Sequence, residues 1–250
     1  MSNYTKILND FDSLGLMTFR NNFNESVDRV NSDPATILDE FYELLEIEKS
    51  FRQERVNKSM IVTSHFPFLK TFEDYDFSYQ PKLNREEILD LKNSRFIEEK
   101  ENIVFIGTPG TGKTHLAVSI GIESSKNRLQ TYFINCNELI LQLKKAQQEN
   151  RLARRLKHFY SYSLLIIDEV GFLPINKEDS NLLFQLISMR YEKHSTIFTT
   201  NKGFNHWGET FGDPVIANAM LDRILHHSKV IQIIGPSYRM KGKENLFNDD

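Results

Sequence analysis

Apolar positions follow two different periods along this chain, and the change of period divides it. Up to about residue 60 the pattern is helical: Phe19, Phe23, Val27 and Val30 recur at turn spacing, and Ile37, Leu38, Phe41, Leu44 and Leu45 form a second apolar face. Between them, Ser32-Asp33-Pro34 predicts a cap with proline in the first turn of the next helix. From residue 101 onward short β-competent runs take over, at Ile103–Ile106, Thr131–Asn135, Leu164–Ile167, Ser195–Thr200 and Lys229–Ile234. Helical patterns separate them: one begins at His115-Leu116, a long one carries Leu139, Leu143, Leu152, Leu156 and Phe159, one spans Ser180–Tyr191, and one runs from Asp213-Pro214 to about His226. Five strands alternating with helices predict an α/β fold whose five-stranded parallel sheet is covered on both faces. The intervening stretch is rich in aromatics and broken by Pro67 and Pro81. The expected division is a small N-terminal helical domain (1–62), a linker leading into the core (63–100) and the core itself (101–250).

The loop between the first strand and its helix narrows the chemistry. Gly107-Thr108-Pro109-Gly110-Thr111-Gly112-Lys113-Thr114 has the spacing G-x-x-x-x-G-K-[ST], and His115 opens the helix beyond it. Glycines let successive N–H groups turn inward around phosphates, Lys113 reaches the outer phosphates, and the Thr114 hydroxyl suits Mg²⁺. The helix N-terminus adds unpaired donors and a positive dipole end. The third strand ends in Asp168-Glu169, where Asp168 would hold Mg²⁺ and Glu169 would polarise an attacking water. Asn201, after the fourth strand, is a candidate for orienting that water. Arg223 is a candidate for acting on a neighbouring subunit's phosphoryl group. His226 and His227 have no carboxylate or cysteine beside them at ligand spacing, so a structural or interfacial role is expected.

Composition adds limits. A net charge of −3 gives no global pull toward nucleic acid, so any such contact must come from local clustering. The densest basic cluster is Lys144, Lys145, Arg151, Arg154, Arg155 and Lys157, on what reads as one long helical segment; it could neutralise several phosphates. Lys49, Arg52, Arg55 and Lys58 make a second stripe, read either as a face for DNA or an acidic partner or as a solvated face neutralised by Glu46, Glu48 and Glu54. The aromatics of 65–77 could stack on adenine or simply pack in the core. The single cysteine, Cys136, suits a small core position in a reducing compartment. The N-terminus lacks the apolar core of a signal peptide and no run reaches membrane-span length, so a cytoplasmic location is expected.

The assembled pattern resembles the AAA+ division of P-loop ATPases, and more closely the IstB-like transposition helper ATPases, which are similar to DnaC helicase loaders. The likeness is carried by Phe66-Pro67-Phe68-Leu69-Lys70-Thr71, Arg95-Phe96-Ile97-Glu98, the P-loop, residues 164–174, Leu182-Leu183-Phe184-Gln185-Leu186-Ile187-Ser188, Thr199-Thr200-Asn201 and Leu221-Asp222-Arg223-Ile224-Leu225-His226-His227. The resemblance implies an ATP- and Mg²⁺-dependent ATPase that oligomerises on target duplex DNA, remodels it and recruits a transposase. It also implies ATP sites shared between subunits, with Lys113, Asp168, Glu169, Asn201 and Arg223 catalytic and Gly107 to His115 binding nucleotide. The stretch 138–157 falls where initiator-type ATPases insert a DNA-contacting helix. About sixteen residues follow the fifth strand, too few for the helical lid of other AAA+ proteins, which leaves Arg239 as a substitute for a lid-borne arginine. The nearest alternative is a helicase loader that binds single-stranded DNA; a further one, from another class, is a small-molecule P-loop kinase.

Overall fold

The computed structural model describes residues 2–32 and 37–241 and divides into two compact units, Met1–Ser59 and Met60–Asp250. In the first, α1 (Asn3–Ser13), α2 (Met17–Ser32) and α3 (Ile37–Thr63, running past the unit's end) bury Phe19 and Leu44, with the Phe11 and Phe41 rings against Phe19. The expected Asp33-Pro34 cap lies outside the described residues. The apolar face expected of α3 is mostly exposed: Leu44 is buried, while Ile37, Leu38 and Phe41 are not. In the basic stripe, Lys49, Arg52 and Lys58 pair with Glu46, Glu48 and Glu54 along the helix.

The second unit is a layered α/β structure. Its elements after α3 are α4 (Arg85–Asp90), α5 (Arg95–Glu98), β1 (Asn102–Gly107), α6 (Lys113–Lys126), β2 (Thr131–Asn135), α7 (Cys136–Gln148), α8 (Leu152–Tyr160), β3 (Leu164–Asp168), α9 (Lys177–Arg190), β4 (Ser195–Thr200), α10 (Trp207–Thr210), α11 (Pro214–His226) and β5 (Ser228–Ile233). All strand pairs are parallel, in the order β2-β3-β4-β1-β5. Alternate strand residues feed two cores, as a pleated sheet requires. Val104, Ile134, Leu165, Ile167 and Phe198 face α7 to α11, while Ile103, Phe105, Phe133, Ile166 and Ile197 face α6 and the segment before β1. That segment, expected as a linker, is built into the second core through Phe72, Tyr75, Ile88, Leu91, Phe96 and Ile97. Most of the aromatics of 65–77 therefore serve packing. Among the described residues no helix is long and apolar enough to cross a membrane.

The basic segment departs from expectation. It is two helices, broken at residues 149–151, where Asn150 takes φ +55°. Gln147-Gln148-Glu149-Asn150 offers no apolar residue to hold a continuous face against the core, so a polar left-handed turn is tolerated there.

One buried cation has no sequence signature. Arg190, 2% exposed on the last turn of α9, donates to the carbonyls of Phe159, Tyr160, Tyr162 and Ser195 and to the Thr196 hydroxyl. It joins the end of α8 and the approach to β3 to the start of β4. Burial lowers its pKa to about 9, which leaves it charged at neutral pH.

Candidate nucleotide site

Strand order brings the site together. β4 lies between β1 and β3, so the P-loop, Thr199 to Asn201 and Asp168-Glu169 emerge side by side at the carboxyl edge of the sheet. Gly110 and Gly112 take φ of +81° and +94°, a region that favours glycine, and Gly112 precedes the first turn of α6. A Cβ on Gly110 would collide with Ser237, and one on Gly112 with the Tyr75 ring, whose hydroxyl donates to the Thr111 carbonyl over 3.0 Å. The chain after β5 closes over the loop: Tyr238 N–H donates to Gly110 O over 2.9 Å.

A cavity of about 180 Å³ is lined by Gly110, Lys113, Thr114, Glu169, Asn201 and Arg239, among others. Lys113 is folded back on its own loop, donating to Gly107 O and Thr108 O at 2.8 and 2.7 Å. Burial pulls its pKa down against the opposing pull of Asp168. Asp168 is 6% exposed; Oδ1 accepts from Thr114 Oγ1 at 2.8 Å and Thr199 Oγ1 at 2.5 Å. Burial still raises its pKa, the hydroxyls notwithstanding. A cation short of an anion, Lys113, thus lines the cavity, and an anion short of a cation, Asp168, lies behind the Thr114 and Thr199 of its lining. Thr114 Oγ1 and Asp168 Oδ1 are hard oxygen donors that fit Mg²⁺, and Lys113 with the loop amides fits a polyphosphate.

Glu169 has φ +58°, with its N–H bonded to Thr199 Oγ1 over 2.9 Å and its Oε2 accepting from the Asn135 amide over 2.7 Å. Asn135 is the partner that sequence reading misses. It sits opposite Asp168 in the β2–β3 register and also caps α7, its Oδ1 accepting from Asn137 N–H. The only signal for it was an asparagine at a strand end, which reads as a cap. Asn201 lines the cavity, and its Oδ1 is buried without a hydrogen-bond partner.

Four expected residues make their contacts elsewhere. His115 donates from Nε2 to Thr71 O over 2.8 Å and lines a second cavity of about 380 Å³ with Lys70, Tyr75, Gln80 and Tyr238. Thr108 and Thr111 hydroxyls bond within the loop region, to Gly235 O and Thr108 O, rather than toward the cavity. Arg223 does not line the P-loop cavity of its own chain; its guanidinium stacks on Phe184, 4.8 Å from the ring centre, and donates to Ala219 O.

The basic cluster divides. Lys145, Arg151, Arg154 and Arg155 line a cleft of about 420 Å³ between α7 and α8, with Gln142 and His158. Arg155 bonds Gln142 and stacks on Phe159, and Arg151 pairs with Glu149. Lys144 instead points to α9, 3.2 Å from Asp179, and Lys157 is exposed outside the cleft.

The chain matches the family model described as IstB-like ATP binding protein over residues 9–245. A protein of insertion sequence IS232 from Bacillus thuringiensis subsp. berliner, named for ATP binding, is 46% identical over 248 residues, 99% of either chain. Its IS21 counterpart from Pseudomonas aeruginosa is 44% identical over 199 residues, 80% of this chain and 75% of that one. Among solved structures, the DnaC helicase loader superposes with a TM-score of 0.51 at 24% identity, covering 59% of this chain and 86% of that one. AMPPCP-bound DnaA from Aquifex aeolicus gives 0.57 at 19% identity, covering 74% and 58%. These structural likenesses bear on the fold, which is that of an AAA+ P-loop protein.

Proposed function

Because this chain belongs to the IstB-like family of ATP-binding proteins encoded by insertion sequences, we propose that it is a cytoplasmic ATPase that assembles on target duplex DNA and recruits a transposase. One observation carries the link between nucleotide and DNA. Asn135 holds Glu169 and at the same time begins α7, the helix that leads into the basic cleft. Force on the cleft therefore has a short mechanical route to the hydrolytic carboxylate.

The triphosphate takes Lys113 from the Gly107 and Thr108 carbonyls, and the loop amides cradle its oxygens. Thr114 and Asp168 would hold Mg²⁺, which would offset charge on the outer phosphates. Glu169, once released by Asn135, accepts a proton from the attacking water, and the unpartnered Asn201 carbonyl oxygen orients that water. Arg223, away from its own cavity, is free to complete a neighbour's site in a homo-oligomer. The second cavity, beside Tyr75 and His115, is the candidate base pocket. Lys145, Arg151, Arg154 and Arg155 contact the DNA backbone, with Lys144 and Lys157 at the margin.

The test uses the full chain with a slowly hydrolysed ATP analogue, duplex and single-stranded DNA, and the transposase. Tight nucleotide-dependent assembly on duplex, strengthened in Glu169→Gln, is expected. Mixing Arg223→Ala with Lys113→Ala subunits should restore part of the turnover that each lacks. A strong preference for single strands with no response to the transposase would overturn the reading in favour of a helicase loader.

A further inference from the structure

Away from the P-loop, two chain turns bring three donor groups together. α9 ends at Arg190, and the chain reverses through Tyr191 and Glu192, the latter at φ +56°. α11 ends at His226, and His227 leads directly into β5. Glu192 Oε1 lies 3.7 Å from His226 Nδ1 and 3.3 Å from His227 Nε2, and the two imidazole centroids are 4.3 Å apart. Ligand atoms on a tetrahedral ion with bonds of about 2.0–2.1 Å stand roughly 3.4 Å from one another. The three donors, all within 4.8 Å of one another, are thus already near the spacing of one face of such a tetrahedron.

We propose that Glu192, His226 and His227 form a binding site for a divalent transition-metal ion, Zn²⁺ foremost. Two imidazoles and one carboxylate are a donor set for borderline metals, whereas Mg²⁺ and Ca²⁺ favour oxygen throughout. The backbone is already fixed on one side: Asn102 N–H donates to His227 O over 2.7 Å, in register with the edge strand. Each side chain is about half exposed, which leaves room for water in the fourth position. Tyr191, whose hydroxyl lies 2.7 Å from His226 Nδ1, loses that hydrogen bond on metal binding. Ligand spacing along the chain could not reveal the carboxylate, because Glu192 comes from another part of the chain.

Bound metal would clamp the end of α9 to the end of α11, one turn beyond Arg223. The site does not depend on the DNA or transposase reading, and its readout is metal binding itself. Full-length protein, stripped with EDTA and free of nucleotide, is titrated with Co²⁺. A visible ligand-field band saturating at one ion per chain and displaced by Zn²⁺ is expected. His227→Ala and Glu192→Gln should each weaken it at least about tenfold. Asp168→Asn should leave it unchanged, which separates it from the P-loop. Zn²⁺ should also raise Tm of the wild type but not of His226→Ala, whose exposed side chain can be lost without unfolding the protein. No band, a band that survives His227→Ala, or one abolished by Asp168→Asn overturns the proposal, leaving a pair of ordinary histidine–glutamate contacts.

Discussion

The side-chain amide of Asn135 donates to Glu169 Oε2 across 2.7 Å, while its carbonyl oxygen caps α7. One residue thus touches both Glu169, the carboxylate proposed to act in hydrolysis, and the helix that leads to the basic cleft. Asn135→Ser keeps a capping oxygen but loses reach to Glu169. It should raise basal ATP turnover and shrink the stimulation by DNA, measured by phosphate release with and without duplex. Asn135→Ala should add a loss of about 1 kcal/mol of stability from the missing cap. Unchanged basal turnover in both variants would remove Asn135 from control of Glu169.

Asp168 offers a trade between stability and function. Burial raises its pKa, so the folded chain holds the proton more tightly than the unfolded one. Its contribution to stability therefore falls as pH rises past the usual aspartate value, and the loss remains at neutral pH. Asp168→Asn keeps the oxygen that Thr114 and Thr199 bond and removes the charge. It should raise Tm of the nucleotide-free protein by about 2–4 °C, the effect of roughly 1 kcal/mol in a chain of this size, while abolishing Mg²⁺-dependent hydrolysis. Calorimetry at pH 7 checks the first half and a turnover assay the second.

The cleft between α7 and α8 makes the basic residues unequal. Neutralising Lys145, Arg151, Arg154 and Arg155 should each flatten the salt dependence of duplex binding by up to about one unit of log–log slope. Lys144→Ala, which breaks the pair with Asp179, should leave the slope nearly unchanged. Equal effects at all positions would mean that the cleft does not set the contact.

Arg190 should be among the costliest positions to change. Arg190→Met leaves the carbonyls of Phe159, Tyr160, Tyr162 and Ser195 without their shared donor in a dry environment. A loss of about 3 kcal/mol or more in denaturant unfolding is expected.

How much of this was legible in sequence depended on how local the signal was. The five strands and the P-loop are short runs with their own periodicity and glycine spacing, and they stand where the pattern places them. Asn135 was not legible, because its role needs the β2–β3 register that sets it opposite Asp168. The break at Asn150 was missed since no glycine or proline announces it. Glu192 and Arg190 act on segments distant in sequence, and periodicity carries no information about such pairings. The stretch 63–100 looked like a linker because prolines interrupt its period, yet scattered aromatics can fill one face of a core without any period at all.

Cys136 supplies an alkaline signature. It is fully enclosed and its thiol is pushed up to about 12, against 9.0 when free. The unfolded chain therefore releases this proton while the folded chain retains it, so stability is lost as pH climbs from about 9 to about 12. Native protein should resist a thiol reagent at pH 8, with labelling that follows global unfolding; rapid labelling of the native state would contradict the enclosure.

The segment after β5 rests on the P-loop, with Tyr238 bonded to Gly110, Ser237 against the same glycine, and Arg239 lining the cavity. A load on that segment is carried by the backbone that cradles the phosphates. Filling the cradle and pulling on the strand's far side are then displacements along a single mechanical coordinate, and the P-loop is a strain gauge as much as a holder of phosphate.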